Sequence, residues 1–137
     1  AVLTLMKVSD VIEKDFSTVE IDAPFESLVK VVAESNRNIF PVLDSRNRFQ
    51  GYVSLADIRK YMFRPELQKT TFVYNYMKSA EEYVYEDDKM DVVMKKFEIT
   101  DAWNLPVVKQ DRTYIGFVSK SKIFSVYRSE LKMVSQD

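Results

Sequence analysis

The sequence contains neither cysteine nor histidine among its 137 residues. Without cysteine there is no disulfide framework and no thiol nucleophile. With histidine missing too, the commonest zinc sites, serine–histidine catalysis and a histidine pH switch are excluded. Long apolar runs are also lacking: none approaches the roughly 20 residues that a membrane helix needs. No signal-peptide pattern is present. Neither sign of charge dominates, with 20 Lys and Arg against 21 Asp and Glu and a net charge of −1. Lys and Arg are scattered, so nothing points to a nucleic-acid surface. What is present suits one globular domain, with 46% hydrophobic and 30% charged residues. A chain of this length buries roughly two thirds of its unfolded surface, enough for a real core.

Glycine is scarce, and its placement is the most informative feature. The only two glycines, Gly51 and Gly116, occupy the same place in a repeated block. The first block runs Phe40-Pro41-Val42 and then Phe49-Gln50-Gly51-Tyr52-Val53-Ser54. The second runs Leu105-Pro106-Val107 and then Tyr114-Ile115-Gly116-Phe117-Val118-Ser119. One offset of 65 residues, without a gap, relates Pro41 to Pro106, Gly51 to Gly116 and Ser54 to Ser119. It also relates Val8 to Val73, Val19 to Val84, Asp22 to Asp87 and Ile58 to Ile123. Scarce residues at one spacing mark two copies of one structural unit.

Each copy reads as helix, strand, helix, strand, strand, helix. In the first, Val8 to Glu13 forms a short helical turn and Thr18 to Ile21 a β-branched strand. Asp22 offers an N-cap carboxylate, and Pro24 fits the first turn of a helix. Phe25, Leu28, Val29 and Val32 then follow at i, i+3, i+4, i+7, one apolar helical face. Ile39 to Leu43 is a buried strand, residues 44–48 a polar turn, Phe49 to Ser54 a strand, and a helix begins at Leu55. The second copy matches. Val73 to Met77 is the short helix, Tyr83 to Tyr85 the strand and Asp87 the cap. Met90, Val93, Met94 and Phe97 form the apolar face. Leu105 to Val108 and Tyr114 to Ser119 are the strand pair, and a long helix closes the chain from Ser121 to about Val134. The expected division is 1–63 for the first motif with its leading segment, 64–71 for a linker, and 72–137 for the second motif. Neither half carries enough apolar surface to stand comfortably alone, so the two sheets are expected to pack about a pseudo-twofold axis.

A capped helix with an apolar stripe, a hydrophobic-Pro-Val strand and then Gly-x-Val-Ser opening a helix, in tandem, resembles a CBS domain pair from about Lys7 to Tyr127. The resemblance implies an α/β (α+β) fold of two β-α-β-β-α motifs joined through their sheets. It implies a regulatory role rather than an enzyme, with adenine nucleotides as ligands in clefts between the motifs. More narrowly, the opening segment from Ala1 to Val8 and the tail from Ser121 to Arg128 look like the cytosolic CBS tandem that follows the membrane part of bacterial CLC chloride channels and transporters. That likeness implies a piece of a longer protein on the cytoplasmic side of a membrane, with a membrane transport domain upstream, and the excess of apolar and aromatic residues over what one small disk can bury implies a homodimer. The helices Phe25 to Ala33 and Met90 to Phe97 would lie near the dimer interface.

The resemblance carries nucleotide-binding roles onto Ser54 and Asp57. A serine where a strand enters a helix stands beside free N–H groups and partial positive charge, which favour phosphate. A carboxylate three residues on can accept from both ribose hydroxyls. The alternative is structural: Ser54 as an N-cap and Asp57 completing a capping box. In the second copy Ser119 matches, but Lys122 stands where the ribose carboxylate belongs, and a cation accepts nothing. The cleft with Ser54 and Asp57 is expected to be completed by Tyr83, Val84, Asn104, Leu105 and Pro106. Backbone near Asn104 would read the adenine edge while Leu105 or Pro106 packs on its face. Trp103 either stacks on a base or, by the favoured reading, is a surface aromatic. The carboxylates Glu81, Glu82, Glu86, Asp87 and Asp88 read as a solvated edge rather than a hard-cation site, because they lack an EF-hand pattern.

The expected function is therefore a regulatory module that senses ATP, ADP or AMP, with no metal and no catalytic residue. The alternatives are a purely structural dimerisation module, or a CBS pair attached to a metal transporter or a metabolic enzyme.

Overall fold

The computed structural model describes residues 2–135. Two short helices, α1 (Val2–Leu5) and α2 (Val8–Val11), lead into strand β1 (Val19–Glu20) and helix α3 (Phe25–Glu34). Strands β2 (Ile39–Leu43) and β3 (Phe49–Ser54) follow, then helices α4 (Leu55–Ile58) and α5 (Pro65–Thr70). A single 3-10 turn (Val73–Asn75) opens the second copy. It continues with β4 (Val84–Tyr85), α6 (Met90–Thr100), β5 (Asn104–Val108), β6 (Tyr114–Ser119) and α7 (Lys120–Ser135). The fold is α+β with two three-stranded sheets, ordered β1-β2-β3 and β4-β5-β6.

The sequence repeat is a repeat of register. Val19 pairs in parallel with Val42, and Val84 pairs in parallel with Val107, each at the same offset. Helix α3 buries Phe25, Leu28 and Val32, and α6 buries Met90, Val93 and Phe97, again position for position. The i, i+3, i+7 spacing puts each trio on one face, which is why both helices lie on their sheets.

Three local expectations are corrected. The residue preceding α3 is Pro24 and that preceding α6 is Lys89, so Asp22 and Asp87 are not N-caps. A cap must directly precede the first helical residue, and in both copies the helix starts too late for the aspartate. The helix expected from Leu55 is only the four residues of α4. Residues 65–70, expected to be linker, form α5, which has Pro65 in its first turn where the missing N–H does no harm.

The chain divides into two compact units, and they do not follow the repeat boundaries. One unit holds Asp15–Ala80 together with Arg112–Tyr114. The other holds the residues up to Lys14, Glu81–Asp111 and everything from Ile115 on. Each copy therefore gives up its leading segment to the unit built around the other copy. The core of the Asp15–Ala80 unit contains Phe25, Leu28, Phe40, Val42, Val53 and Ile58, and with them Val73 from the second copy. The core of the other unit contains Met90, Val93, Phe97, Leu105, Val107 and Ile123, and with them Val8 and Val11 from the first. Val8 and Val73 are 2% and 0% exposed. Burying a valine side chain contributes about 1.5–3 kcal/mol, so the exchanged segments are part of each core's stability.

Candidate functional site

Both glycines are needed for the same reason, and it is not a special backbone conformation: neither has positive φ. A Cβ on Gly51 would lie 2.5 Å from the Lys78 carbonyl oxygen. A Cβ on Gly116 would lie 2.5 Å from the Glu13 carbonyl oxygen. Lys78 and Glu13 lie close to the ends of the exchanged leading segments and are themselves related by the offset of 65 residues. Each runs antiparallel against the strand carrying the glycine. Tyr52 and Lys78 exchange two backbone hydrogen bonds of 2.9 and 2.8 Å, and Phe117 and Glu13 two of 2.9 and 2.8 Å. Glycine lets the two backbones come this close.

This packing delivers the side chains of residues 78 and 13 to the strand–helix junctions. In the Asp15–Ala80 unit, the Lys78 ammonium sits 2.7 Å from Asp57 Oδ2, both side chains about half exposed. Its Nζ also lies 5.6 Å from the centroid of the Tyr52 ring. Ser54 immediately precedes α4, yet its side chain makes no capping hydrogen bond. The capping-box alternative thus fails in this unit, because Asp57 is turned to Lys78 and Ser54 caps nothing. The helix-dipole argument for phosphate weakens as well, since α4 is a single turn and the field of a helix grows from aligned peptides.

In the other unit the junction is used differently. Ser119 Oγ accepts a hydrogen bond from the Lys122 backbone N–H at 3.0 Å, a true cap for the 16-residue α7. The same hydroxyl donates to Glu13 Oε1 at 3.4 Å. The charges at the two junctions are reversed: Asp57 and Lys78 in one unit correspond to Lys122 and Glu13 in the other. Lys122 is therefore half of a matched exchange. Lys78 and Glu13 are the site residues that local sequence reasoning missed. Their signal was in the repeat, as opposite charges at one offset, each opposing its counterpart at Asp57 and Lys122.

The remaining sequence-predicted residues belong to the unit without Ser54 and Asp57. Val84 is fully buried and Leu105 is 1% exposed; both side chains are core. Pro106 is buried, while Tyr83 and Asn104 are partly exposed. The Tyr83 carbonyl accepts from Lys96 Nζ at 2.7 Å, and Lys96 also bridges to Asp88 at 3.0 Å. Trp103 is 70% exposed, with the Lys120 ammonium 5.0 Å from a ring centroid. Among the described residues, no three or more carboxylates converge as metal ligands. No described helix is long and apolar enough to cross a membrane.

Two copies of one α+β unit, each with a Gly-x-Val-Ser strand–helix junction, define a tandem-repeat protein of two small sheets. The CBS domain family matches twice, over residues 8–64 and 73–129, and the chain belongs to that family as a CBS pair. MJ1004 of Methanocaldococcus jannaschii is 28% identical over 115 residues, which are 82% of this chain and 52% of that protein. Its crystal structure superposes with a TM-score of 0.75 at 25% identity, covering 88% of this chain and 58% of that one. A Methanosarcina acetivorans protein named homoserine O-acetyltransferase is 26% identical over 125 residues, 91% of this chain and 22% of its own length. The CBS domain of a bacterial CNNM/CorC family Mg²⁺ transporter in complex with ATP has a TM-score of 0.76 at 17% identity, covering 90% and 87% of the two chains. The chain thus spans about half of MJ1004 and under a quarter of the acetyltransferase.

Proposed function

We propose that this CBS pair is a ligand-sensing regulatory module that takes one adenine nucleotide per chain, its ribose held by Asp57 and its phosphate beside Ser54. The observation that carries the reading is the difference between the two junctions. Ser54 is not spent on capping and stands beside a half-exposed carboxylate. Ser119 is spent on capping, and a cation replaces the carboxylate. Ribose offers two hydroxyl donors, and hydrogen bonds to a charged acceptor contribute about 1.5–3 kcal/mol. The ATP complex of the CNNM/CorC CBS domain supports an adenine nucleotide as the ligand class.

Calorimetry with ATP, ADP and AMP tests this. The expected stoichiometry is near one per chain. Asp57→Ala should weaken binding roughly ten- to a hundredfold, and Lys122→Ala much less. Two equal sites per chain, or binding indifferent to Asp57→Ala, would overturn the assignment.

A second reading, a structural module without ligand, has one observation in its favour: Lys78 already occupies Asp57. As the host we propose a CLC-type chloride channel or transporter, from the likeness of the opening run and tail. The acetyltransferase relative supports the alternative of an attached metabolic enzyme. Homodimerisation belongs to the same proposal, supported by Val92 and Ile99, which leave 40% and 71% of their surface exposed on α6.

A further inference from the structure

Resting on the reading that Asp57 holds ribose, we propose that Lys78 is the residue that makes the site select phosphorylated nucleosides. Its ammonium is in contact with the Asp57 carboxylate that would accept from ribose. A ligand must displace it, and only a ligand carrying phosphate gives it a new anionic partner.

Four observations carry this. The Lys78 ammonium is in direct contact with Asp57 Oδ2, at 2.7 Å, the atom a ribose hydroxyl would need. The pair is about half exposed, so it is screened by water and readily broken. The backbone of Lys78 is fixed, locked to Tyr52 by two hydrogen bonds and pressed against Gly51, so displacement moves the side chain alone. A four-carbon stem can swing the charge by several ångströms without disturbing the strand. Finally, α4 is only one turn long, so a phosphate at Ser54 gains little from helix N–H groups and needs a side-chain cation. Lys78 is the cation already at the carboxylate.

A nucleoside without phosphate breaks the ion pair and leaves Lys78 with water. AMP, ADP or ATP breaks the same pair, but its phosphate receives the ammonium in a charge-assisted contact. Lysine therefore penalises every ligand equally at the ribose and rewards only the phosphorylated ones.

The test is calorimetry of adenosine and AMP with the full chain and with Lys78→Met, Lys78→Arg and Asp57→Ala. The parent should bind AMP at least about tenfold more tightly than adenosine. In Lys78→Met adenosine should tighten and AMP weaken, bringing the two within about threefold. Lys78→Arg should keep the preference, because guanidinium serves both anions. Should Lys78→Met leave the AMP-to-adenosine ratio unchanged while Asp57→Ala still weakens both, the ribose assignment stands and the role of Lys78 is wrong. Should neither parent nor Lys78→Met bind either ligand, the nucleotide reading fails and this inference with it. Binding by Lys78→Met alone would overturn the role given to Lys78, since the lysine would then only block the site and reward no phosphate.

Discussion

The two compact units are built on one plan and differ where chemistry could happen. Their registers, core positions and glycine contacts repeat at one offset. Their junctions do not. One unit keeps an uncommitted serine and a carboxylate held by a lysine from the exchanged segment. The other uses its serine to start a long helix and reverses both charges. A second difference lies in the partly buried bridge between Lys96 and Asp88, whose equivalents in the other unit are Val31 and Ala23. One unit is thus polar beneath its helix where the other is apolar. Shared positions report what the fold requires, and differing ones report what each copy is free to vary.

That contrast can be broken most strongly at the lysine. Lys96→Val leaves Asp88 partly buried without its cation and the Tyr83 carbonyl without its donor. Chemical denaturation should show a loss of about 3 kcal/mol, as leaving a partly desolvated charged acceptor and a carbonyl without their shared donor does. The double variant Lys96→Val/Asp88→Ala, which copies the other unit, should recover most of it. A double variant no better than the single one would show that the polar pair is a requirement of that unit.

The glycines sharpen what the units share. Gly51→Val and Gly116→Val each force a side chain against a carbonyl oxygen that cannot retreat without breaking a paired segment. Thermal melts should show each destabilised by about 1–3 kcal/mol, and by similar amounts. A large effect at one position alone would mean that the exchanged segments are held differently in the two units.

The smallest expected effect concerns the serines. Ser119→Ala removes a cap and should cost about 1 kcal/mol. Ser54→Ala removes none and should stay within about 0.5 kcal/mol, as surface changes do. Equal losses on melting would mean that Ser54 has a structural duty.

Local pattern sufficed for much of this. The β-branched runs, the Pro-Val strands and the i, i+3, i+7 stripes placed the paired strands and both long core helices, because period and branching act within a few residues. The caps were misplaced because a carboxylate two residues early is chemically the same signal as one in position. Helix α5 was read as linker because Arg64-Pro65-Glu66 suits a turn as well as a helix start.

By itself the sequence determined the duplication and the family, since one gapless offset fixes which residues are equivalent before any coordinate is known. It also supplied Ser54 and Asp57 as the pair to test. Only the tertiary structure decided that each leading segment joins the unit of the other copy, that the glycines exist to let those segments in, and that Lys78 arrives at Asp57. Those facts depend on which segment crosses to which sheet. Residues 57 and 78 meet through a backbone pairing at Tyr52 that no local period encodes.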